Sequence, residues 1–195
     1  MGSHHFFANY FDHAASSPVL PEVLEAMLPW IGEACGNEHS AHAWGRAARA
    51  ACEEARVEVA RLIGAEDPTQ IVFTSGATEA NNAVVAQFDR VVYSPFEHSS
   101  VVKAAEARPW SERRNLTLDP ISRAEGEEKT LFCQMAVSNE TGEVFGLPPT
   151  RAKTLVDATA AVGKVPYSVG AADFVSLSGH KFGAPKGIGD RKSVV

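Results

Sequence analysis

The sequence has few cysteines and no long apolar run. Its three cysteines, Cys35, Cys52 and Cys133, are widely spaced, and none belongs to a C-x-x-C pair. Neither a disulfide framework nor a zinc knuckle is therefore predicted, and a reducing, cytoplasmic compartment is the simplest expectation. No apolar run of roughly 18 residues occurs, so we expect no membrane span. The N-terminus also lacks the basic and apolar regions of a signal peptide.

Basic residues are in the minority. Eighteen Lys and Arg against 24 Asp and Glu give a formal net charge of −6, which argues against an electrostatic nucleic-acid binder. The chain is 45% hydrophobic and 22% charged, which excludes a disordered tail or a collagen-like repeat. Its 195 residues suffice to bury a core, as one large domain or two small ones.

Short apolar runs alternate with helical stretches along the chain. Helices are predicted over 40–63, 77–88 and 99–107 from their apolar periodicity. Strands are predicted over 70–74, 90–93, 130–136, 154–156 and 173–177 from their β-branched and apolar runs. The polar stretch 111–129 is predicted to be a surface connection. Strands that alternate with helices predict an α/β fold with a mostly parallel sheet covered on both faces.

A candidate anion site follows the first predicted strand. In open α/β sheets, ligands bind just beyond the carboxyl ends of the strands. Ser75-Gly76-Ala77-Thr78-Glu79 lies at such a strand–turn–helix junction, and its backbone N–H groups and the Thr78 hydroxyl suit a phosphate. The same residues also suit a capping box, with Ser75 or Thr78 as the cap and Glu79 in the first turn. This segment alone leaves both interpretations open.

Four more chemically versatile side chains follow the other strands. His98, Asn139, Asp157 and Lys181 each come after a different predicted strand. Taken singly, each has an ordinary structural explanation. Taken together with the anion site, they match what pyridoxal phosphate requires. That cofactor needs a phosphate site, a lysine to form an imine, and a carboxylate that keeps its pyridine nitrogen protonated.

These segments resemble the class V aminotransferase superfamily and, within it, the cysteine desulfurases. The matching segments occur in family order at 10–15, 36–46, 73–82, 97–101, 139–142, 157–164 and 178–189. The resemblance implies fold type I of the pyridoxal-phosphate enzymes, a three-layer α/β/α sandwich with a mainly parallel mixed sheet. It implies a cytoplasmic homodimer that takes sulfur from L-cysteine, leaves L-alanine, and passes enzyme-bound sulfur to acceptor proteins for iron–sulfur cluster assembly.

The resemblance also assigns roles to individual residues. Lys181 would form the imine with the cofactor, and His98 would stack on the cofactor ring and act in acid–base steps. Asp157 would pair with the pyridine nitrogen, and Asn139 would approach the phenolic oxygen. The phosphate would be held by four residues, Ala77, Thr78, Ser178 and His180. No metal site is implied.

Three departures from the family pattern lead to further expectations. Ala160 stands where the family has Gln, so one hydrogen-bond donor to the phenolic oxygen is missing. Only 17 residues separate Asn139 from Asp157, so we expect a nearly bare loop where the family has a crossover helix. The chain ends 14 residues after Lys181, so residues 1–195 are expected to be the large, cofactor-binding domain without its last strand and without the small domain.

The part that family members carry beyond this point leaves alternatives open. It holds the arginine that grips the substrate carboxylate and the loop with the persulfide-forming cysteine, and no cysteine of this chain lies in a similar context. We therefore expect the chain alone to be inactive or impaired. Selenocysteine lyase and other class V aminotransferases or epimerases are close alternatives. A non-catalytic remnant or a partner-binding module is an alternative of a different class.

Overall fold

The computed structural model describes residues 9–114, 129–150 and 152–193. Its helices are α1 (Pro21–Ile31), α2 (Ala43–Ile63), α3 (Ala77–Val85) and α4 (Ser99–Glu106). Its strands are β1 (Ile71–Thr74), β2 (Arg90–Tyr93), β3 (Trp110–Arg113), β4 (Thr130–Met135), β5 (Lys153–Asp157), β6 (Phe174–Ser178) and β7 (Gly189–Ser193). In this part of the chain, no helix is both long enough and apolar enough to cross a membrane.

The strands of the described residues form one seven-stranded sheet in the order β1-β7-β6-β5-β4-β2-β3. The five strands from β6 to β3 in this order run parallel to one another. Only β7 pairs antiparallel, with β1 on one side and β6 on the other. The predicted mainly parallel mixed sheet is therefore confirmed.

Helices cover both faces of this sheet. On one face, α3 and α4 pack Val84 and Val101 against Leu131 of β4. On the other face, Ile63 of α2 packs in a second cluster with Val175 of β6. Because both faces are covered, β4 and β6 are buried along their whole length and read as continuous apolar-rich runs. The arrangement is the three-layer α/β/α sandwich that the sequence predicted.

Among the helices and strands named above, three were not predicted: α1, β3 and β7. Helix α1 begins with Pro21 in its first turn, contains Pro29, and buries none of its residues. Strand β3 occupies Trp110–Arg113 at the edge of the sheet and pairs only with β2. The prediction that 111–129 is wholly a connection is thus wrong for the residues of β3, and 115–128 lie outside the described residues.

The third unpredicted element, β7, lies near the end of a chain that we expected to lack the last strand of the sheet. Strand β7 pairs along its length with both β1 and β6, and Gly189 lies opposite Thr74 and Ser178. A Cβ atom on Gly189 would lie 2.3 Å from the Cα of Gly76, a distance that side chains do not tolerate. Glycine at this position therefore lets β7 run directly beside the turn between β1 and α3.

The connection from β4 to β5 has the form that its short length predicted. In its described residues, 136–150 and 152, it consists of turns and an isolated bridge between Val137 and Val144, without a helix. The chain reverses through a turn at 139–142, where the Ser138 Oγ accepts hydrogen bonds from the N–H groups of Glu140 and Thr141. This turn holds Asn139 near the carboxyl end of β4.

Candidate active site

The predicted site residues line a single cavity at the carboxyl ends of the parallel strands. Its volume is about 640 Å³, which is typical of small-molecule sites. All the residues to which the sequence assigned a role lie in its wall: Ala77, Thr78, His98, Asn139, Asp157, Ser178, His180 and Lys181. Their predicted convergence is confirmed, whereas their individual roles stay predictions. The wall also includes Asp12, Ala15 and Lys186, to which no role had been assigned.

One end of the cavity is formed by the N-terminus of α3. Gly76 is the N-cap residue of this helix and supplies no side-chain cap, while the N–H and the hydroxyl of Ser75 both donate to Glu79 Oε2 at 2.7 Å. The prediction of Ser75 or Thr78 as the cap is therefore wrong, although Glu79 does close the turn, and the helix N-terminus lines the cavity. The positive end of the helix dipole favours an anion here.

Two side chains from the end of β6 lie at the same cavity. The Oγ of Ser178 is 2.9 Å from Nδ1 of His180. The pKa of His180 is lowered, first by burial and then by the positive charges of Lys181 and Lys186. Its imidazole is consequently neutral at pH 7, while the lysines supply the positive potential that attracts an anion.

Asp157 ends β5 and is 5% exposed. Its Oδ2 accepts a hydrogen bond from Nδ2 of Asn81 at 2.9 Å, and its Oδ1 accepts one from the N–H of Thr159 at 3.0 Å. These two donors fix the direction of the carboxylate from two sides. Each oxygen retains a lone pair that can accept from a ligand in the cavity.

His98 is the N-cap residue of α4. Its Nδ1 accepts a hydrogen bond from the N–H of Ser100 at 3.1 Å and lies 2.9 Å from the Oγ of the same serine. The ring is thereby held at the start of the helix while it lines the cavity. Its position follows from its role as the N-cap, where Ser, Thr, Asp and Asn are more usual than histidine.

Lys181 lies in the 3-10 turn Gly179–Lys181 that follows β6. Its Nζ donates a hydrogen bond to the carbonyl oxygen of Ala14 at 2.6 Å, and its own carbonyl accepts one from the Ser17 hydroxyl at 2.7 Å. Nearby, Lys164 Nζ donates to the carbonyl oxygen of His13 at 3.1 Å. The N-terminal segment is thus tied across the turn that carries the lysine and closes one side of the cavity.

The sequence assigned no roles to three buried polar residues near the cavity, Asn81, Ser100 and Glu97, of which Ser100 lines it. Glu97 Oε1 accepts a hydrogen bond from the N–H of Met135. Burial raises the pKa of Glu97 well above its ordinary value, and the charge of Asp157 adds to the effect. Asn81 lies on α3, Ser100 in the first turn of α4, and Glu97 just before that helix. Their contacts with residues distant in sequence appear only once the helices pack on the sheet.

The lining of the cavity fits pyridoxal phosphate in its donor set. Thr78, Ser178 and the α3 N-terminus supply donors for a phosphate, Asp157 supplies an acceptor for a protonated ring nitrogen, and Lys181 supplies an amine. Ala160 also lines the cavity, so its methyl group offers no hydrogen bond where the family pattern has an amide.

Comparison with known proteins agrees with the sequence and the fold. The aminotransferase class V family matches residues 9–190. The mitochondrial cysteine desulfurase of Drosophila melanogaster is 38% identical over 208 residues, covering 92% of this chain and 45% of that protein. Cysteine desulfurase IscS of Rickettsia akari (strain Hartford) is also 38% identical, covering 92% of this chain and 50% of that protein. The chain therefore spans about half the length of the curated relatives it matches.

Solved structures share the fold. The structure described as SspA in complex with cysteine superposes with a TM-score of 0.81 at 29% identity, covering 94% of this chain and 60% of that chain. A NifS-like protein from Rickettsia africae superposes with a TM-score of 0.81 at 25% identity, covering 93% of this chain and 57% of that chain. The likeness extends over nearly all of the present chain.

Proposed function

The chain belongs to the class V aminotransferase family, and from that premise we propose that it is the cofactor-binding part of a pyridoxal-phosphate-dependent cysteine desulfurase. The observation that carries the proposal is one cavity lined together by Lys181, Asp157, His98 and the N-terminus of α3. A lysine amine, a carboxylate and an anion site in one small cavity are the minimum that this cofactor requires.

Each residue has a physical task in the proposal. When bound, pyridoxal phosphate supplies an electron sink for bond cleavage on an amino acid. Asp157, held by its two donors, would accept a hydrogen bond from the ring nitrogen. His98 would stack on the ring. Lys181 provides the amine for covalent attachment, and a lysine reacts in this way as the free base.

The remaining lining residues hold the two oxygen-bearing groups of the cofactor. Thr78, Ser178 and His180, with the N–H of Ala77, bind the phosphate at the α3 N-terminus. Asn139 approaches the phenolic oxygen. Since Ala160 adds no donor there, we expect weaker binding than a second amide would give, because a hydrogen bond to an anionic oxygen contributes about 1.5–3 kcal/mol.

L-Cysteine is the proposed substrate. The curated relatives are named cysteine desulfurases, and one solved neighbour is described in complex with cysteine. In this reaction the substrate sulfur moves to an enzyme thiolate and L-alanine is left. A homodimer in the cytoplasm, with acceptor proteins that take the sulfur to iron–sulfur cluster assembly, belongs to the same proposal.

Covalent attachment of the cofactor to Lys181 tests this proposal. We expect the purified chain, titrated with pyridoxal phosphate, to develop the visible absorption of a lysine-linked cofactor, and Lys181→Ala to abolish it. Lys164→Ala is the matched control, because Lys164 also donates to a carbonyl of the N-terminal turn but does not line the cavity. Identical spectra for the wild type and Lys181→Ala would contradict the proposal.

A further inference from the structure

Four polar side chains form a continuous hydrogen-bond chain along the wall of the cavity, which three of them line. Asn81 Nδ2 donates to Asp157 Oδ2 at 2.9 Å and to Ser100 Oγ at 3.0 Å. Ser100 Oγ in turn lies 2.9 Å from His98 Nδ1. Asn81 is 0% exposed and Ser100 is buried beside it. The chain thus connects a carboxylate at the end of β5 with an imidazole at the start of α4.

The carboxylate sets the direction of every hydrogen bond in this chain. An ionised Asp157 only accepts, so the amide of Asn81 must turn its NH₂ group toward it. The Asn81 Oδ1 is left buried without a partner among the described residues. Rotating the amide would not relieve this cost, because Oδ1 would then lie against the carboxylate. The charge of Asp157 therefore fixes the amide orientation.

The orientation of Asn81 determines where the Ser100 proton points. Because the NH₂ group donates to Ser100 Oγ, that oxygen acts as an acceptor there, and its own proton is directed at His98 Nδ1. The Ser100 N–H donates to the same nitrogen at 3.1 Å. Two donors on Nδ1 mean that this nitrogen carries no proton, so the neutral imidazole is protonated at Nε2.

We propose that Asn81 and Ser100 are positioning residues that couple His98 to Asp157 and hold His98 as the Nε2–H tautomer. The proposal rests on the proposed function, in which Asp157 and His98, the two ends of the hydrogen-bond chain, bind the same cofactor. Its consequence is that His98, which lines the cavity, presents a hydrogen-bond donor there. The other tautomer would forfeit both hydrogen bonds from Ser100.

The tautomer can be read directly by NMR on the cofactor-free protein. In protein labelled with ¹⁵N-histidine, long-range ¹H–¹⁵N spectra distinguish protonated from unprotonated ring nitrogens, and the His98 signals are those missing from His98→Asn. We expect an unprotonated Nδ1 and a protonated Nε2 in the wild type. Ser100→Ala should shift the His98 Nδ1 resonance toward the value of a nitrogen that accepts no hydrogen bond from a hydroxyl group. Ser100→Thr, which keeps a hydroxyl group, should restore the wild-type value.

Asn81→Asp tests the coupling itself, because it preserves volume but replaces the amide donor with an oxygen. The Ser100 hydroxyl would then donate to the new carboxyl group, so His98 Nδ1 should shift as it does in Ser100→Ala, although Asn81 does not touch His98. Asp157→Asn replaces this variant if thermal unfolding shows that Asn81→Asp does not fold, because an amide at 157 can donate to Asn81 Oδ1, and the rotated Asn81 amide would then accept the Ser100 hydroxyl proton.

Two outcomes would overturn the proposal. One is a protonated Nδ1 in the wild type. The other is a His98 signal that moves in Ser100→Ala but stays unchanged in the folded Asn81→Asp or Asp157→Asn variant, which would make Ser100 a local partner of His98 without coupling to Asp157. Neither outcome depends on pyridoxal phosphate, so a failure of the proposed function and a failure of this inference are distinguishable.

Discussion

Glu97 is the residue whose ionisation the fold opposes most clearly. It is buried, only one of its carboxyl oxygens has a partner in the described residues, and Asp157 lies close enough to repel its charge. Its pKa is raised well above the ordinary value of 4.5, mainly by burial. The folded protein therefore holds the Glu97 proton more tightly than the unfolded chain does.

This difference predicts that the free energy of unfolding depends on pH through Glu97. A group that binds its proton more tightly in the folded state contributes stability below its unfolded pKa, and this contribution is lost as the pH rises toward the folded pKa. Glu97→Gln keeps an acceptor for the Met135 N–H but binds no proton. We expect its free energy of unfolding, relative to wild type, to rise steadily above about pH 4.5, as measured by urea unfolding at several pH values.

Glu79→Gln is the control of opposite sign. Two hydrogen bonds from Ser75 lower the pKa of Glu79. Its contribution to stability is therefore present at pH values above the ordinary pKa of 4.5 and is lost as the pH falls. The relative stability of Glu79→Gln should therefore improve toward acid pH. Both variants are compared with the wild type between about pH 4 and pH 8. If their relative free energies of unfolding changed in the same direction, the tighter binding of a proton by Glu97 in the folded state would be refuted.

At the scale of the element, burial decided which strands the sequence could predict. Strands β4, β5 and β6 are buried apolar-rich runs, and each was predicted to within a residue or two. Strand β7 reads Gly-Asp-Arg-Lys-Ser, a composition that is poor in strand-forming residues. It forms because its backbone pairs with β1 on one side and β6 on the other. That information lies in the partner strands and not in the segment.

The contact between β7 and the β1–α3 turn predicts a specific sensitivity. In Gly189→Ala the new methyl group would meet the backbone of Gly76 at 2.3 Å, so either the strand or the turn must move. Overpacking of this kind costs about 1–3 kcal/mol. We expect a loss of that size in the free energy of unfolding, together with weaker binding of pyridoxal phosphate, because Gly76 begins the helix at the anion site.

Gly146→Ala is the matched control for that prediction. It lies in the β4–β5 connection, and a Cβ atom there would meet nothing within 4 Å. Its stability and its cofactor affinity should stay within about 0.5 kcal/mol of the wild type. Equal losses in the two variants would mean that the close approach at Gly189 has no special cost.

At the scale of the whole molecule, topology explains why the site was predictable. Parallel strands end at the same edge of the sheet, so residues that follow separate strands, such as His98 and Lys181, converge whatever their separation in sequence. The coupling through Asn81 was not predictable in the same way. Its two contacts reach Ser100, 19 residues away, and Asp157, 76 residues away, and they depend on how α3 packs.

At the same scale, the cavity has the groups for cofactor binding but, within the described part of the chain, lacks a thiol for turnover. None of the three cysteines lines the cavity in the described residues. Burial raises the pKa of the Cys133 thiol well above its ordinary value, and a hydrogen bond to Glu38 raises that of Cys52. Cys35 is exposed and lines a different cavity from Lys181. Transfer of sulfur needs a thiolate placed at the substrate, and no thiol of the chain meets this condition.

We therefore expect the chain alone to release sulfide from L-cysteine no faster than free pyridoxal phosphate does, even when Lys181 holds the cofactor. Orientation of the reacting groups accounts for about 7–11 kcal/mol of typical catalysis, and without a placed thiolate this contribution is absent from the sulfur-transfer step. The measurement is sulfide release with L-cysteine, pyridoxal phosphate and a reductant, for the wild type and for Cys35→Ser. Release well above the free cofactor that disappears in Cys35→Ser would make Cys35 the nucleophile and refute this account.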